Sequence, residues 1–507
     1  MPELILAHDL GTTADKASLF GADGQLLASA SCSYPTYYPR AGWAEQSADD
    51  WWAAVCAANQ QLFSQSPYRA EDVAVVGFSG QMMSCLLVDG SARPLHQSII
   101  WADQRAADEA AAAEVQLGTK YLYGITGHRF GANYTAAKLL WLRKHQPELL
   151  QRARYVLQAK DYIAARLTGV FATDTSDASG TNLYDLTAGG WSQALLQALE
   201  LDAALLPDLH AATDVIGQVS RSAAQESGLR TGTPVVIGGG DGACATAGAG
   251  LAAPGDIYLY IGSSSWIASL ATQPLFDQAR RTFTFSYLDP QLYLPTGTMQ
   301  CAGGSYDWLE RLLRGEGSTP PYRKLDALAE GVAPGARGLL YLPYLLGERS
   351  PHWSTTARGS FVGLSMLHGR AEIARAVLEG VAFNLRAILD AFRAQGTQYE
   401  SLRIIGGGAR SALWRQIVAD ILQLPLLRPQ LSAEATSLGA AMAAGTGAGL
   451  LGSLRQAARL VRLSEAEKPN PANSALYDDF YGLFCQAYRT LEPLNTALAA
   501  HTDDTIE

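Results

Sequence analysis

Apolar residues in this chain come in short runs that end at glycines, and polar side chains follow directly after three of these runs. In residues 235–250 (VVIGGGDGACATAGAG) three glycines lead into Asp241 and then into a stretch of small residues. The pattern predicts a buried strand, a glycine turn and a closely packed helix. A lone carboxylate beside an exposed backbone and a helix start suggests a general base. Most Asp residues in such places only cap the helix, and that alternative stays open.

Two other segments, about half a chain apart, share a different pattern. Residues 4–20 and residues 257–270 each contain an apolar run, a turn of small and hydroxyl residues, and a second apolar run. Each predicts a β-hairpin whose turn can hold phosphate oxygens through N–H and hydroxyl groups. The polar turn residues are Asp9, Gly11, Thr12, Thr13 and Lys16 in the first, and Gly262, Ser263 and Ser264 in the second. One such turn is usually only a turn, but a matching pair predicts two similar lobes.

A third glycine run lies in residues 402–422 (LRIIGGGARSALWRQIVADIL) and again predicts a strand, a turn and a helix. Gly407 and Gly408 would let a flat nucleobase or ribose lie against the backbone, with Ser411 near enough to hydrogen-bond it. A tight strand-to-helix connection explains these residues better when they are taken alone. The chain has neither a P-loop motif nor a G-x-G-x-x-G motif with its partner acid, so any nucleotide must be held by another design.

Composition narrows the classes of partner. The 507 residues are 48% hydrophobic, enough for large cores and for two or three domains. The net charge of −10 is spread along the chain without a basic run, which argues against nucleic acid as a partner. Six scattered cysteines indicate a reducing compartment, and neither a signal peptide nor a membrane span is predicted. We therefore expect a cytoplasmic protein.

Several further motifs, in this order, extend the pattern over nearly the whole chain. They are GWAEQ at 42–46, SGQM at 79–82, IIWADQR at 99–105, TAAKLLW at 135–141, KDYIAARLTGVFATDTSDASG at 160–180, YLPYLLGERSPHWSTTARGSFVGL at 341–364 and RAVLEGV at 375–381. Together with the glycine runs they resemble the FGGY carbohydrate kinases, and most closely the xylulokinase branch. The resemblance implies an α/β fold of two actin-like (ribonuclease H-like) ATPase domains facing a central cleft, where ATP and a sugar meet.

The resemblance also implies a role for each candidate residue. Asp9 would hold Mg²⁺ through water, and Asp241 would take the proton of the attacking sugar hydroxyl. The first phosphate turn would comprise Gly11, Thr12, Thr13 and Lys16, and the second Gly262, Ser263 and Ser264. Gly407, Gly408 and Ser411 would border the adenosine, while Gln81, Met82, Met83, Asp103 and Gly242 would lie on the sugar side. Phosphoryl transfer requires this kind of charge neutralisation, alignment and base.

Two positions depart from the xylulokinase pattern. Where that pattern reads Q-M-H-G, this chain has Gln81, Met82, Met83 and Ser84, so the histidine is replaced by Met83. The residue after the catalytic Asp is typically Asn, and here it is Gly242. A site that has lost hydrogen-bonding groups usually binds a different pattern of hydroxyls. The kinase prediction stands, but D-xylulose as the substrate is in doubt.

The predicted domains are residues 1–250, residues 251–463, and a final segment 464–507. LAAPG at 251–255 is typical of a helix stop, and the polar stretch with Pro469 and Pro471 predicts a linker. The last segment would then end in a helix over 475–491. The resemblance implies that this helix packs back on the first domain; the bare sequence equally allows a helix that forms a homodimer.

The function expected from the sequence is ATP-dependent phosphorylation of a small sugar, xylulokinase-like or acting on a related ketose or polyol. Two alternatives remain. One is a protein that binds sugar or nucleotide without turnover, which the joint presence of Asp9, Thr12, Lys16 and Asp241 argues against. The other is an actin-like ATPase of another kind, which the sugar-side motifs at 79–82 and 99–105 argue against.

Overall fold

The computed structural model describes residues 3–313 and 322–501, so the predicted domain limits at residues 1 and 507 lie outside the described part. Two mixed sheets form its frame. The strand at the centre of the first sheet, LILAHDL, is buried on both faces, as expected where helices cover both sides. The shorter central strand of the second sheet, IYLYI, is likewise almost wholly buried. We call the two halves of the chain built on these sheets the first and the second lobe.

The first lobe is formed by the elements up to residue 248. Its strands are β1 (Leu4–Leu10), β2 (Ala14–Phe20), β3 (Leu26–Ser33), β4 (Glu45–Gln46), β5 (Val73–Gly80), β6 (Leu86–Val88), β7 (Ser98–Ile99), β8 (Tyr155–Leu157), β9 (Ala172–Asp174), β10 (Tyr184–Asp185), β11 (Gly190–Trp191), β12 (Asp208–His210), β13 (Val215–Gln218), β14 (Pro234–Val236) and β15 (Gly239–Gly240). Its helices are α1 (Ala48–Gln65), α2 (Ala107–Leu117), α3 (Thr119–Thr126), α4 (Thr135–His145), α5 (Pro147–Arg152), α6 (Ala159–Thr168), α7 (Thr175–Ser179), α8 (Gln193–Ala198), α9 (Arg221–Ser227) and α10 (Asp241–Gly248).

The second lobe follows from residue 257. Its strands are β16 (Ile257–Ile261), β17 (Ser265–Ser269), β18 (Phe283–Ser286), β19 (Tyr293–Met299), β20 (Leu340–Leu342), β21 (Ser360–Val362), β22 (Leu402–Ile405), β23 (Leu426–Pro429) and β24 (Leu463–Glu467). Its helices are α11 (Gly303–Leu313), α12 (Tyr322–Glu330), α13 (Arg370–Arg393), α14 (Ala412–Leu422), α15 (Ala435–Gly447), α16 (Leu454–Ala458) and α17 (Pro471–Ala499).

The two sheets repeat one topology. The first runs β13-β14-β5-β1-β2-β3, with β1 to β3 as an antiparallel meander and β5 and β14 added in parallel. The second runs β18-β19-β17-β16-β22-β23-β24, where β16, β17 and β19 form the meander and β22 and β23 are the parallel strands. An antiparallel strand, β13 or β24, closes the corresponding edge of each. The prediction of two similar α/β lobes is therefore confirmed.

Two helices made of small residues join the lobes. In α10 and α15 the backbones approach so closely that a Cβ on Gly248 would lie 1.7 Å from the Ala435 carbonyl oxygen. A Cβ on Gly439 would lie 1.9 Å from the carbonyl oxygen of Cys244. Only glycine permits this crossing. Helix α15 also packs on β1 and β5, so an element from the second half of the sequence covers the first sheet.

The last segment differs from its prediction. Residues of the predicted linker form β24, which pairs with β23 at the edge of the second sheet. Helix α17 buries Tyr477 and Phe484 in the core of the second lobe rather than packing back on the first. The Tyr477 hydroxyl donates to Glu379 (2.8 Å) and accepts from Arg375 (2.7 Å), and these buried polar groups of α13 require such a partner. The predicted limit at residue 250 falls between α10 and β16.

Helix α17 is 29 residues long, but Asp478, Asp479, Arg489 and Glu492 interrupt its apolar character. Within residues 3–313 and 322–501, no helix combines the length and hydropathy needed to cross a membrane.

Candidate active site

The first predicted phosphate turn connects β1 to β2. Gly11 closes it by donating its N–H to the carbonyl oxygens of Asp9 and Ala14. The Thr12 hydroxyl accepts a hydrogen bond from the indole of Trp101 (3.0 Å), and Thr13 is exposed. Lys16 lies on β2 beside Asp9 on β1, and its ammonium contacts Glu434 at the start of α15 (3.1 Å). Hydroxyl, backbone and ammonium donors thus surround one turn, as binding of phosphate oxygens requires.

Asp9 has a half-buried carboxylate with a perturbed pKa. Burial raises the pKa of Asp9 to about 6, against the opposing effects of Ser79 and Lys16. Among the described residues Asp9 has no ion-pair partner, because Lys16 pairs with Glu434 instead. A half-buried carboxylate without an ion-pair partner fits Mg²⁺, which is typically held by one or two carboxylates together with waters and substrate phosphates. No cluster of three or more metal-ligating side chains exists in the described part of the chain.

Asp241 begins α10, at the point where the first sheet ends in β15. The preceding glycines are required here, because Gly238 has φ +68° and a Cβ on it would lie 1.8 Å from the Phe78 carbonyl oxygen. The Asp241 carboxylate accepts from the N–H of Gly242 (2.7 Å), while the helix N-cap position is Gly240. Burial, and next the charge of Asp9, raise the pKa of Asp241 to about 7. Asp241 is therefore the first residue of the helix and not its N-cap residue, and its role as a base stays a prediction.

The second predicted phosphate turn connects β16 to β17, and backbone hydrogen bonds from the start of α11 hold it in place. The N–H groups of Ala302 and Gly304 donate to the Ser263 carbonyl oxygen, and Gly303 donates to that of Gly262. Ser263 and Ser264 are exposed at the tip. The Gly303–Gly304 pair, which starts α11, was missed in the sequence. A Cβ on Gly303 would lie 2.4 Å from the Gly262 carbonyl oxygen, so the pair is what allows the turn to sit on the helix.

A cleft of about 570 Å³ lies between the lobes and brings several predicted residues together. From the first lobe it is lined by Met82, Met83, Asp241 and Gly242, and from the second by Ser263 and Ser264. The other lining residues were not predicted as site residues, and among them are Trp101, Trp266, Gln300 and Arg349. Trp101 belongs to the IIWADQR motif and Arg349 to the GERSP motif, so the motifs offered a signal for both. Asp241 and the second predicted phosphate turn therefore line the same cleft.

Met83 and Gly242 shape the cleft wall next to Asp241. Met83 has φ +65°, and its carbonyl oxygen accepts from the Lys138 ammonium (2.7 Å), which also donates to the Asn133 carbonyl oxygen (2.8 Å). The Met83 sulfur lies 3.7 Å from the Asn133 amide nitrogen. Burial lowers the pKa of Lys138 to about 7. A Cβ on Gly242 would meet no described heavy atom within 4 Å, so a side chain there would project into open space.

Gln81 and Asp103 lie behind the cleft wall and do not line the cleft. The Asp103 carboxylate is fully buried, pairs with Arg105 (2.7 Å) and accepts from the N–H of Ala44 (2.6 Å). The Gln81 amide donates to Gln46 (2.7 Å). A buried carboxylate needs a partner of opposite charge, and the Asp103 carboxylate already has one in Arg105. Neither side chain lines the cleft, and their place on the sugar side stays a prediction.

The predicted adenosine residues follow β22. Gly407 and Gly408 lie in a short 3₁₀ turn, Gly407–Arg410, where Gly407 is open and Gly408 packs against Ile261. Ser411 caps α14, because its hydroxyl accepts from the N–H of Trp414 (3.1 Å). Ser411 therefore already has a structural role, and the open backbone at Gly407 is what leaves room for a flat ring.

Two domains of one protein family match most of the chain. The FGGY family of carbohydrate kinases, N-terminal domain, matches residues 4–248, and its C-terminal domain matches residues 257–448. The chain belongs to the FGGY family of carbohydrate kinases. It is 33% identical to the xylulose kinase of Bacillus subtilis over 97% of this chain and 98% of that protein. It is 29% identical to the gluconokinase of the same organism, over 98% of each chain.

A solved structure agrees with this FGGY assignment. The ligand-bound xylulose kinase of Lactobacillus acidophilus superposes with a TM-score of 0.91 at 29% identity, covering 97% of this chain and 98% of that one. The protein is a sugar kinase, and the two-lobe α/β class expected from the sequence is confirmed.

Proposed function

We propose that this FGGY kinase transfers the γ-phosphate of ATP to a hydroxyl of a small ketose, as in D-xylulose + ATP → xylulose 5-phosphate + ADP, or of a closely related ketose or polyol. The observation that carries the proposal is that Asp241 and the Ser263–Ser264 turn line one cleft from opposite lobes. A base on the sugar side and donors for phosphate on the other are the two requirements of the reaction. The similarity to xylulose kinases supports the ketose.

In the proposed reaction Asp241 accepts the proton of the attacking hydroxyl while the oxygen bonds to the γ-phosphorus and the bond to ADP breaks. Thr12, Thr13 and Lys16 orient the phosphates from the first lobe. Ser263 and Ser264 do so from the second. Mg²⁺, held on the Asp9 side, would supply positive charge to the phosphate oxygens when bound. Burial raises the pKa of Asp241 to about 7, which makes its carboxylate a stronger base than an ordinary aspartate.

An acidic sugar is the second candidate, and Arg349 is the reason. Its guanidinium lines the cleft, and within the described residues it has neither an ion-pair nor a hydrogen-bond partner. Burial lowers the pKa of Arg349, yet a guanidinium keeps its charge in proteins. A half-buried guanidinium that lines the cleft and has no hydrogen-bonded partner among the described residues is well suited to a carboxylate. The similarity to gluconokinase makes an aldonate such as gluconate the compound to test.

A coupled ADP-release assay tests both candidates. The panel comprises D-xylulose, L-xylulose, ribulose, several polyols and gluconate, each with wild type and with Asp241→Asn. Sugar-dependent ADP release by wild type that Asp241→Asn lacks supports the proposal. Binding without turnover of any sugar would favour the non-catalytic alternative, and sugar-independent release the actin-like ATPase. Cytoplasmic location and a homodimer stay predictions of the sequence.

A further inference from the structure

A buried group of charged residues lies directly behind the catalytic strand end. The ammonium of Lys160 contacts the carboxylates of Asp161 (2.6 Å), Asp174 (2.9 Å) and Asp177 (3.4 Å), and all four side chains are fully or almost fully buried. We call these four residues the Lys160 cluster. Burying charged side chains is costly. In some proteins a buried charge cluster serves to hold a specific geometry. None of the roles assigned above uses this cluster.

One side chain connects the Lys160 cluster to the active site. Ser176, in α7, donates its hydroxyl to Asp174, whose carboxylate also accepts from the N–H of Ser176. The same hydroxyl oxygen accepts from the N–H of Gly240 (3.0 Å), the residue before Asp241. The contact is entirely buried, so losing it would leave the Gly240 N–H without this partner in a dry site.

The Ser176 contact is also specific in direction. A serine hydroxyl has one proton, and Ser176 donates it in the hydrogen bond to Asp174. A lone pair of the same oxygen must therefore face the N–H of Gly240. The Asp174 carboxylate is in turn fixed by Lys160 and by capping α7. The backbone at Gly239 packs tightly against its neighbours, because a Cβ there would lie 3.0 Å from the Ser176 hydroxyl oxygen and 2.2 Å from Leu288.

We infer that Ser176 is a positioning residue for phosphoryl transfer: anchored by the Lys160 cluster, it holds the Gly239–Gly240 strand end so that the Asp241 carboxylate faces the attacking hydroxyl. The inference rests on the proposed role of Asp241. A misplacement of about 1 Å at a reacting group can cost about 10²-fold in rate. Because Ser176 touches neither phosphate turn, its loss acts on kcat and leaves the binding of ATP unchanged.

The test compares two variants that lose the contact with one that does not. Ser176→Ala removes the hydroxyl, and Ser176→Cys replaces it with a larger thiol that hydrogen-bonds weakly. Ser179→Ala is the matched control, since Ser179 is a buried serine of the same helix whose partners are the Ser176 carbonyl oxygen and the Ser286 N–H. We expect both Ser176 variants to lower kcat by about 10-fold to 10²-fold at unchanged KM for ATP. We expect Ser179→Ala to keep kcat near wild type at a similar loss of thermal stability.

Asp241→Asn, measured in parallel, separates two kinds of failure. If Asp241→Asn is inactive while the Ser176 variants keep kcat within about twofold of Ser179→Ala, the positioning inference is overturned and the proposed base stands. If Asp241→Asn stays active, the proposed base itself is wrong. A Ser176 variant that raises the KM for ATP at unchanged kcat would also overturn the inference.

Discussion

The ammonium of Lys16 lies 3.1 Å from the Glu434 carboxylate, linking the first phosphate turn to the start of α15. Both side chains are partly exposed, at 34% and 19%, so the pair contributes little to stability. The pair matters because it lies at the first predicted phosphate turn. The strand register places Lys16 beside Asp9, and Glu434 is its ion-pair partner. We expect an ATP phosphate to replace Glu434 as the partner of Lys16.

Replacing Lys16 by Met therefore tests a phosphate role against a structural one. We expect Lys16→Met to lower kcat/KM for ATP by about 10²-fold, since a donor to the transferred phosphate is lost. The control is Glu434→Gln, which breaks the same ion pair but leaves the ammonium in place. It should keep kcat/KM for ATP near wild type. Equal losses in both variants would show that the ion pair, and not a phosphate contact, is what matters.

Asp241→Asn should abolish transfer while ATP binding stays nearly intact. The amide has the size of the carboxylate but cannot accept the proton, and loss of a general base costs about 10² to 10⁴ in rate. Turnover is measured by coupled assay and ATP binding by calorimetry. Turnover within a few-fold of wild type would require a different residue as the base.

The pH dependence of the reaction should follow the same carboxyl. Burial and the charge of Asp9 place the pKa of Asp241 at about 7, and only the deprotonated form can accept a proton. Below that pH the active fraction falls, so kcat/KM for the sugar should decrease by about tenfold per pH unit and level off above it. A rate profile that is flat from pH 5 to pH 8 would contradict both the raised pKa and the role.

Local sequence patterns predicted the strand ends and turns of the site well. The glycines before Asp241 and the two hairpin turns are short-range features, and the structure has them where they were expected. The direction in which each side chain points was harder to predict from the sequence. The position of Asp103 behind the cleft wall depends on Arg105, and the contact of Ser176 with Gly240 joins residues 64 positions apart. The burial of Tyr477 likewise depends on Glu379 of α13, which no pattern within 475–491 could reveal.

Closure of the lobes on sugar is the next expectation. The phosphate turns belong to different sheets, and the lobes are joined by the α10–α15 crossing. We therefore expect the cleft to narrow when both turns bind one nucleotide. Closing also excludes water that would otherwise accept the phosphate. Small-angle scattering with sugar and a non-hydrolysable ATP analogue should show a smaller radius of gyration than the free protein. An unchanged radius would count against a closing mechanism.

The final prediction concerns substrate choice at Met83 and Gly242. The family histidine can donate to or accept from a sugar hydroxyl, whereas a thioether offers a soft apolar contact. A bound hydroxyl that loses its partner can cost about 1–3 kcal/mol. We therefore expect D-xylulose to be a poor substrate of wild type, and Met83→His with Gly242→Asn to raise kcat/KM for it.

The structure allows this double substitution. An Asn side chain at Gly242 enters open space, and histidine tolerates the φ of +65° at position 83 better than most residues. Measuring kcat/KM on D-xylulose, L-xylulose, ribulose and several polyols, for wild type and the double variant, decides the matter. Asn133, whose amide lies 3.7 Å from the Met83 sulfur, is the neighbour placed to supply the missing hydrogen bond. If wild type already turns over D-xylulose efficiently, and Asn133→Ala abolishes that preference, then Met83 is a neutral replacement and Asn133 has taken over the role of the histidine.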